Sequence, residues 1–302
     1  MGSEPTQMKL GFIGLGRMGS GMAGQLLRAG FALQVFDPDL RQSARMVEQG
    51  ATAASSLGAL AQSVDVLISM LPSDEALLEA TTAAGGLVDQ LLPKSIHMVC
   101  GTHSVAAVAQ LITAHQAAGQ KLVACPVLGR PDLAATGKLG LVPGGDPELT
   151  TALQPVFAAL GDRVFPAGND PLAATAMKIA NNFVLGCAIE AMGEGMAMVR
   201  KYAVDPVVFH QVLVGGLFNC TAYQAYGDLI AKQDWGRVGA SAVIGLKDAN
   251  LAIDAAAAVD VRLPSAEIWQ QGLQAAIARG ESQLDWSVMA REQFRAAGLE
   301  QD

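Results

Sequence analysis

The run Gly14-Leu15-Gly16-Arg17-Met18-Gly19 constrains this chain more than any other stretch, because of what flanks it. Glycine is common here, 33 residues in 302, so a G-x-G-x-x-G spacing alone means little. The apolar stretch before it reads as a short buried strand. Met18 to Arg28 reads as a helix whose small residues, Ala23 and Gly24, suit tight packing on a sheet. In such a strand-turn-helix unit Gly14 makes the tight turn, Gly16 lets a pyrophosphate approach the backbone, and Gly19 lets helix and strand pack closely. The helix N-terminus then faces the phosphates.

A second strand, Ala32 to Phe36, ends at Asp37, roughly twenty residues downstream, where a dinucleotide-binding unit places the carboxylate that takes the ribose 2'-hydroxyl. Asp37 favours NAD, because a 2'-phosphate beside it meets like-charge repulsion; Arg41 and Arg45, close in sequence, can soften that preference towards NADP. The competing reading is that Asp37 only caps a helix beginning near Asp39.

Length and composition fit this picture. A chain of 302 residues, 51% hydrophobic and 16% charged, can bury substantial cores and suggests two domains. No uninterrupted apolar run reaches the eighteen or so residues of a membrane span, so no membrane partner is expected. A net charge of -8, with no basic cluster interleaved with aromatics, argues against nucleic acid and for a small-molecule partner. Cys100, Cys125, Cys187 and Cys220 show neither C-x-x-C nor zinc spacing; they read as reduced, mostly packed thiols of a cytoplasmic protein, and no metal is expected. Met1 to Gln7 lack the apolar core of a secretion signal and read as a mobile leader or an expression remnant.

From Met8 to about Pro166 short apolar runs alternate with helical stretches. Val64 to Met70, Ile96 to Cys100, Lys121 to Val127 and Leu139 to Val142 are expected as strands; Ser55 to Gln62, Asp74 to Ala80, Val105 to Ala118 and Pro147 to Leu160 are expected as helices. The alternation predicts an α/β domain over 8-166, a doubly wound Rossmann sheet covered by helices on both faces. After Pro171 it stops. A periodic stretch from Leu172 to about Ala203 predicts a helix of roughly 45 Å that joins the domains. Helices at Pro206 to Val214, Thr221 to Ala231, Ser241 to Ala258, Ser265 to Arg279 and Ser287 to Ala296 complete an all-α domain over 167-302.

Lys178 sits on the long helix among Ala174, Met177, Ile179 and Ala180, and apolar company tends to lower a lysine's pKa. Asn182, four residues on, shares its helix face, so one ligand can touch an ammonium and a carboxamide. Hydride transfer to a carbonyl needs a proton donor at the developing alkoxide, and Lys178 suits that role. The bland alternative is a lysine whose stem is buried and whose head snorkels to water. His97, His103, His115 and His210 are scattered; His103 either lines the pocket or begins a helix. Cys125 reads as strand packing, and Tyr223 and Trp235 either wall a pocket or pack between helices.

Several motifs occur in one order: Phe12 to Gly19, Met70-Leu71-Pro72-Ser73, Thr102-His103-Ser104, Pro126 with Gly137-Lys138-Leu139, Lys178 to Asn182, and Lys247-Asp248. In this the chain resembles the β-hydroxyacid dehydrogenases over about residues 9 to 252. The resemblance implies that Lys178 is the general acid/base and Asn182 the amide that orients the substrate. It implies Thr102 by the nicotinamide, Met70, Leu71 and Pro72 passing over the cofactor, and Lys247 and Asp248 near the cofactor and the active-site wall. Homodimers or homotetramers are implied as well.

The chain departs from the family pattern after Pro126, where a serine and two glycines hold the substrate carboxylate. Here Leu128 stands in the serine's place and Arg130 in that of the second glycine, around Gly129. Arg130 either binds a carboxylate through its fork of donors or is a surface arginine beside a turn. Ala173-Ala174 also replace glycine just before the long helix. The reading is an NAD(P)-dependent oxidoreductase acting on a small hydroxy acid or semialdehyde; the rivals are an imine reductase-like enzyme and a noncatalytic NAD-binding module.

Overall fold

Near-continuous apolar runs four residues long build the central sheet. The computed structural model describes residues 8-300, so Met1 to Gln7, read as a leader, lie outside the described residues. The chain first lays down β1 (Leu10–Ile13), α1 (Arg17–Arg28), β2 (Leu33–Phe36), α2 (Leu40–Val47), β3 (Thr52–Ala53), α3 (Leu57–Ala61) and β4 (Val66–Ser69). Then come α4 (Asp74–Thr82), α5 (Leu87–Gln90), β5 (Ile96–Val99), α6 (Val105–Ala117) and β6 (Lys121–Ala124). Every residue of β1, β4 and β5 is buried, as strands covered on both faces require. All pairings are parallel, in the order β3-β2-β1-β4-β5-β6. This is the expected Rossmann order. Its direction reverses between β1 and β4, whose carboxyl ends therefore flank the ligand crevice of such a sheet. Phe12, Met22, Leu26, Val35, Ile68 and Phe157 lead the core beneath it.

The chain continues through β7 (Val127–Leu128), α7 (Pro131–Thr136), β8 (Leu139–Leu141), α8 (Pro147–Ala152), α9 (Gln154–Leu160) and β9 (Gly161–Val164). Two expectations change here. Lys121 to Val127 is not one strand: β6 stops at Ala124, Pro126 has no N–H for a ladder, and β7 enters a separate sheet of order β7-β8-β9. The helix expected over 147-160 is two, because Pro155 removes an N–H that the carbonyl of Thr151 would have accepted.

The helical region comprises α10 (Pro171–Lys201), α11 (Pro206–Gly215), α12 (Thr221–Lys232), α13 (Ala242–Ala257), α14 (Pro264–Ala278) and α15 (Met289–Ala296), the last preceded by a 3-10 turn at Trp286–Val288. The chain divides into two compact units within α10, one ending at Lys178 and the other starting at Ile179. The second unit has its own core, in which Trp269 meets Trp286 edge-on at 6.1 Å and Trp235 is buried rather than lining a pocket. Tyr223 stacks on Phe218. By length and composition α10 is apolar enough to cross a membrane. It also carries Lys178, Asn182 and Glu190, and it packs Ile189, Met192 and Met196 into the second core.

Two of the histidines that are far apart in sequence meet inside the first unit. His97 Nδ1 on β5 lies 2.9 Å from His115 Nε2 on α6, His97 Nε2 lies 2.8 Å from Ser69 Oγ, and His115 Nδ1 lies 2.7 Å from Gln120 Oε1. The Gln120 amide donates to the carbonyls of Val88 and Leu91, so its oxygen must accept from His115. With both rings neutral, His115 then accepts from His97, and His97 accepts the Ser69 hydroxyl proton. Burial, with His115 and His103 nearby, pushes His97 well below its ordinary 6.5, and burial lowers His115 too. The unfolded chain takes up these protons as pH falls through 6.5 while the folded chain does not, so stability is full above that value and declines below it. The thermal midpoint of wild type should therefore fall more steeply in acid than that of His97→Gln; parallel slopes in a pH series of melts would contradict the neutral pair.

Candidate active site

The turn after β1 is held by backbone contacts that leave no room for a side chain at two points. Gly14 has φ +84, and a Cβ there would lie 2.4 Å from the Met70 carbonyl oxygen; a Cβ on Gly19 would lie 1.8 Å from the carbonyl oxygen of Gly14. Gly16 is the opposite case, with open space where its Cβ would be. It is the N-cap of α1, no side chain caps that helix, and no acidic residue lies in its first turn. The first-turn N–H groups therefore present a partial positive charge to an open cradle, which fits a pyrophosphate. Arg17 is exposed and Met18 half-buried at the rim. Leu15 differs: its side chain is fully buried and its N–H is already committed.

That N–H donates to Asp37 Oδ2 at 2.7 Å, across 22 residues of sequence, while Asp37 Oδ1 accepts from the Asp39 N–H at 2.9 Å. The cap of α2 belongs to Asp39, which accepts from the Arg41 N–H. Asp37 thus ties the glycine turn to the end of β2 and, having four lone-pair directions, keeps capacity for a ribose hydroxyl. Arg41 is committed to Asp39, with Nε 2.9 Å from Oδ1.

Met70, Leu71 and Pro72 follow the carboxyl end of β4, with the Met70 N–H donating to the Ile13 carbonyl at 3.0 Å. Thr102 follows β5. Next to it His103, fully buried, lies over Gly101 with Nδ1 3.2 Å from Asp74 Oδ1, which also accepts the Ser104 N–H at 3.0 Å. Burial alone would raise the Asp74 carboxyl, but the hydrogen bonds from His103 and Ser104 outweigh it and hold it at about 2. His103 thus pins the Thr102 loop to the start of α4.

After Pro126 the loop takes a definite shape. Gly129 has φ +142, and Arg130 is the N-cap of α7, its Nε 4.0 Å from Asp132 Oδ1. Leu128 packs beside Ala124, Val142 and Ala174. The helix α7 escaped the sequence reading, although Pro131 at its start and Gly137 at its end, with φ +66, are a legible start and stop signal. Gln25 and Arg28 of α1 both donate to the carbonyl of Ala135, so α1 anchors this loop.

On α10, Ala173 and Ala174 lie in the first turn rather than before the helix. Lys178 is half-buried one turn after the fully buried Ala174, while Met177, expected as apolar company, points outward with 43% exposure. Asn182, one turn further, is buried. Its Nδ2 donates to Asp248 Oδ2 on α13 at 2.8 Å, and its Oδ1 accepts from Asn181 at 3.3 Å. Lys247 Nζ lies 3.3 Å from Asp248 Oδ1. Cys100 and Cys125 are buried, and burial pushes the Cys125 thiol up to about 12, so neither is a nucleophile. Cys220, by contrast, is exposed rather than packed.

Comparison with known proteins gives the family. Residues 9–168 match the NAD binding domain of 6-phosphogluconate dehydrogenase, and residues 173–292 match the NAD-binding domain of NADP-dependent 3-hydroxyisobutyrate dehydrogenase. The chain is 35% identical to an uncharacterised oxidoreductase of Bacillus subtilis, YfjR, over 94% of this chain and 99% of that one. It is 30% identical to the NAD-dependent L-serine dehydrogenase of Pseudomonas aeruginosa, over 94% and 97%. A crystal structure of 3-hydroxyisobutyrate dehydrogenase from Salmonella typhimurium matches with a TM-score of 0.84 at 26% identity, covering 95% of this chain and all of that one. The chain belongs to the β-hydroxyacid dehydrogenase family of NAD(P)-dependent oxidoreductases.

Gly19→Ala forces its methyl group into the Gly14 carbonyl and must displace the turn. Fluorescence titration should show NADH binding weakened by at least about tenfold, the equivalent of 1.4 kcal/mol; wild-type affinity in this variant would show that the turn does not form the cradle.

Proposed function

We propose that the chain is an NAD-preferring dehydrogenase or reductase of a small hydroxy acid or semialdehyde, with Lys178 as general acid/base and Asn182 orienting the reacting oxygen. One observation carries the reading: a half-buried lysine and a buried asparagine stand one helical turn apart on α10, in a chain whose first unit presents an open, positively polarised cradle. The bound nicotinamide cofactor supplies or accepts the hydride. Gly16, Met18 and the first-turn N–H groups of α1 hold its phosphates, Asp37 takes the ribose, and Thr102 and the Met70 to Pro72 loop line its path. In reduction Lys178 gives a proton to the developing alkoxide while Asn182 fixes that oxygen; in oxidation Lys178 takes the proton back.

The chemistry of the loop narrows the substrate. Leu128 offers no hydroxyl to a carboxylate, and Arg130 is the group there with donors to replace it. Relatives that carry names act on short acids of this kind, among them the Pseudomonas aeruginosa L-serine dehydrogenase and the Escherichia coli 2-hydroxy-3-oxopropionate reductase. The proposed assignment gives residues 8-166 to the dinucleotide and 167-302 to substrate and subunit association, in a cytoplasmic homodimer or homotetramer.

Lys178→Met should lower turnover of short 3-hydroxy acids about 10²- to 10⁴-fold with NADH affinity unchanged; full activity in that variant would remove the proton-transfer role. Asp37→Ala loosens the turn and weakens both cofactors, but the ratio of NADH to NADPH affinity should move towards NADPH. A constant ratio would detach Asp37 from the ribose.

A further inference from the structure

Lys247 and Asp248 stand near the cofactor and the active-site wall in the family resemblance, yet the structure commits Asp248 elsewhere. We propose that Asp248 is a positioning residue that fixes the orientation of Asn182, with Lys247 offsetting its charge, and that it acts without touching the substrate. The inference rests on the role given to Asn182 above.

Both partners are buried, Asn182 at 8% and Asp248 at 6% exposure, and the 2.8 Å bond between them joins α10 to α13. A carboxamide has two ends of nearly equal shape and opposite polarity, so packing alone does not decide which faces which way. An ionised carboxylate only accepts, so the nitrogen of Asn182 must face Asp248 and the oxygen must face away. With one N–H given to Asp248 and one lone pair of Oδ1 given to Asn181, the amide keeps one donor and one acceptor. A hydroxyl or a developing alkoxide uses that pair in its two protonation states.

The choice of a carboxylate is itself informative. Asp248 Oδ1 accepts no hydrogen bond, and the Lys247 ammonium 3.3 Å away is the group that offsets its charge. Burying a carboxylate with so little compensation is a poor way to join two helices, which an apolar pair does at no desolvation cost. Its advantage lies in strength and direction: a charged acceptor holds the amide harder than a neutral one and permits a single orientation.

The test is a double-mutant cycle on the full-length protein, Asn182→Ala against Asp248→Ala, with Asp248→Asn alongside. The readouts are kcat and KM for NAD-dependent oxidation of short 3-hydroxy acids, L-serine included, together with the side-chain amide resonances of Asn182 by NMR without substrate. Asp248→Ala should lower kcat by about tenfold to a hundredfold and shift the Asn182 amide signals, with NADH affinity unchanged. In the Asn182→Ala background it should cause no further loss. Asp248→Asn, which keeps an acceptor, should recover most of the activity and also serves if Asp248→Ala does not fold. Equal losses in both backgrounds, or Asn182 signals that do not move, would overturn the positioning role while leaving Asn182 in place. An Asn182→Ala variant with full activity would instead remove the reading on which the inference rests.

Discussion

What the first unit can offer a ligand depends on how closely three pieces of backbone approach at the end of β1. The Gly14 Cα faces the Met70 carbonyl, the Gly19 Cα faces the Gly14 carbonyl, and the Leu15 N–H reaches the Asp37 carboxylate. Together these join the carboxyl ends of β1, β2 and β4, the strands around which the sheet order reverses. A hydrogen bond to a charged group contributes about 1.5–3 kcal/mol, enough to hold a short turn in one conformation before anything binds. The open face at Gly16 follows from the crowding on either side of it. The backbone is pulled inward at Gly14 and Gly19, so the first-turn N–H groups of α1 are left facing outward.

The second constraint is polarity on an apolar helix. α10 has the hydropathy of a membrane span, and each polar residue on it must be accounted for. Glu190 illustrates the cost. Burial raises its carboxyl, Gln293 supplies one hydrogen bond at 2.7 Å, and its Oε2 accepts none. Asn182 is better served, with Asp248 and Asn181 both engaged. A helix tuned only for packing would carry aliphatic side chains at both positions. The proposed function gives a reason for Asn182 and Lys178; for Glu190 the structure gives none.

Most of the sheet was legible because apolar runs of four residues between glycine-marked turns admit few other structures, and α10 was legible from its unbroken period. Two of the failures are local and traceable to proline. Pro126 ends β6 and starts a second sheet that periodicity does not distinguish from the first, and Pro155 splits a helix whose pattern runs straight through it. In the candidate site, Asp37 and Gly14 to Gly19 were readable as a motif, but the Leu15 bond to Asp37 was not, since a backbone N–H has no signature in sequence. The meeting of His97 with His115 was hidden for a related reason. It depends on β5 lying under α6, which the separate periods of the two elements do not reveal.

The loop from Val127 to Gly137 shows why the chemistry of this chain is easier to read than its substrate. Its frame is held by hydrogen bonds: α7 is bonded to α1 through Ala135, and β7 is paired to β8. Leu128 and Arg130 are the side chains at which it departs from the family pattern. A hydroxyl that hydrogen-bonds a substrate group rejects analogues lacking that group strongly, whereas an apolar side chain discriminates by about 1–3 kcal/mol per methylene. On the proposed assignment, Leu128 in the serine's place exchanges a strict polar test for a lenient apolar one. It also extends the apolar cluster of Ala124, Val142 and Ala174 that lies one turn before Lys178 on α10. On the proposed assignment Lys178 lies one turn beyond Ala174 on the helix that this loop packs against, so the divergence bears on what is recognised rather than on the proton transfer.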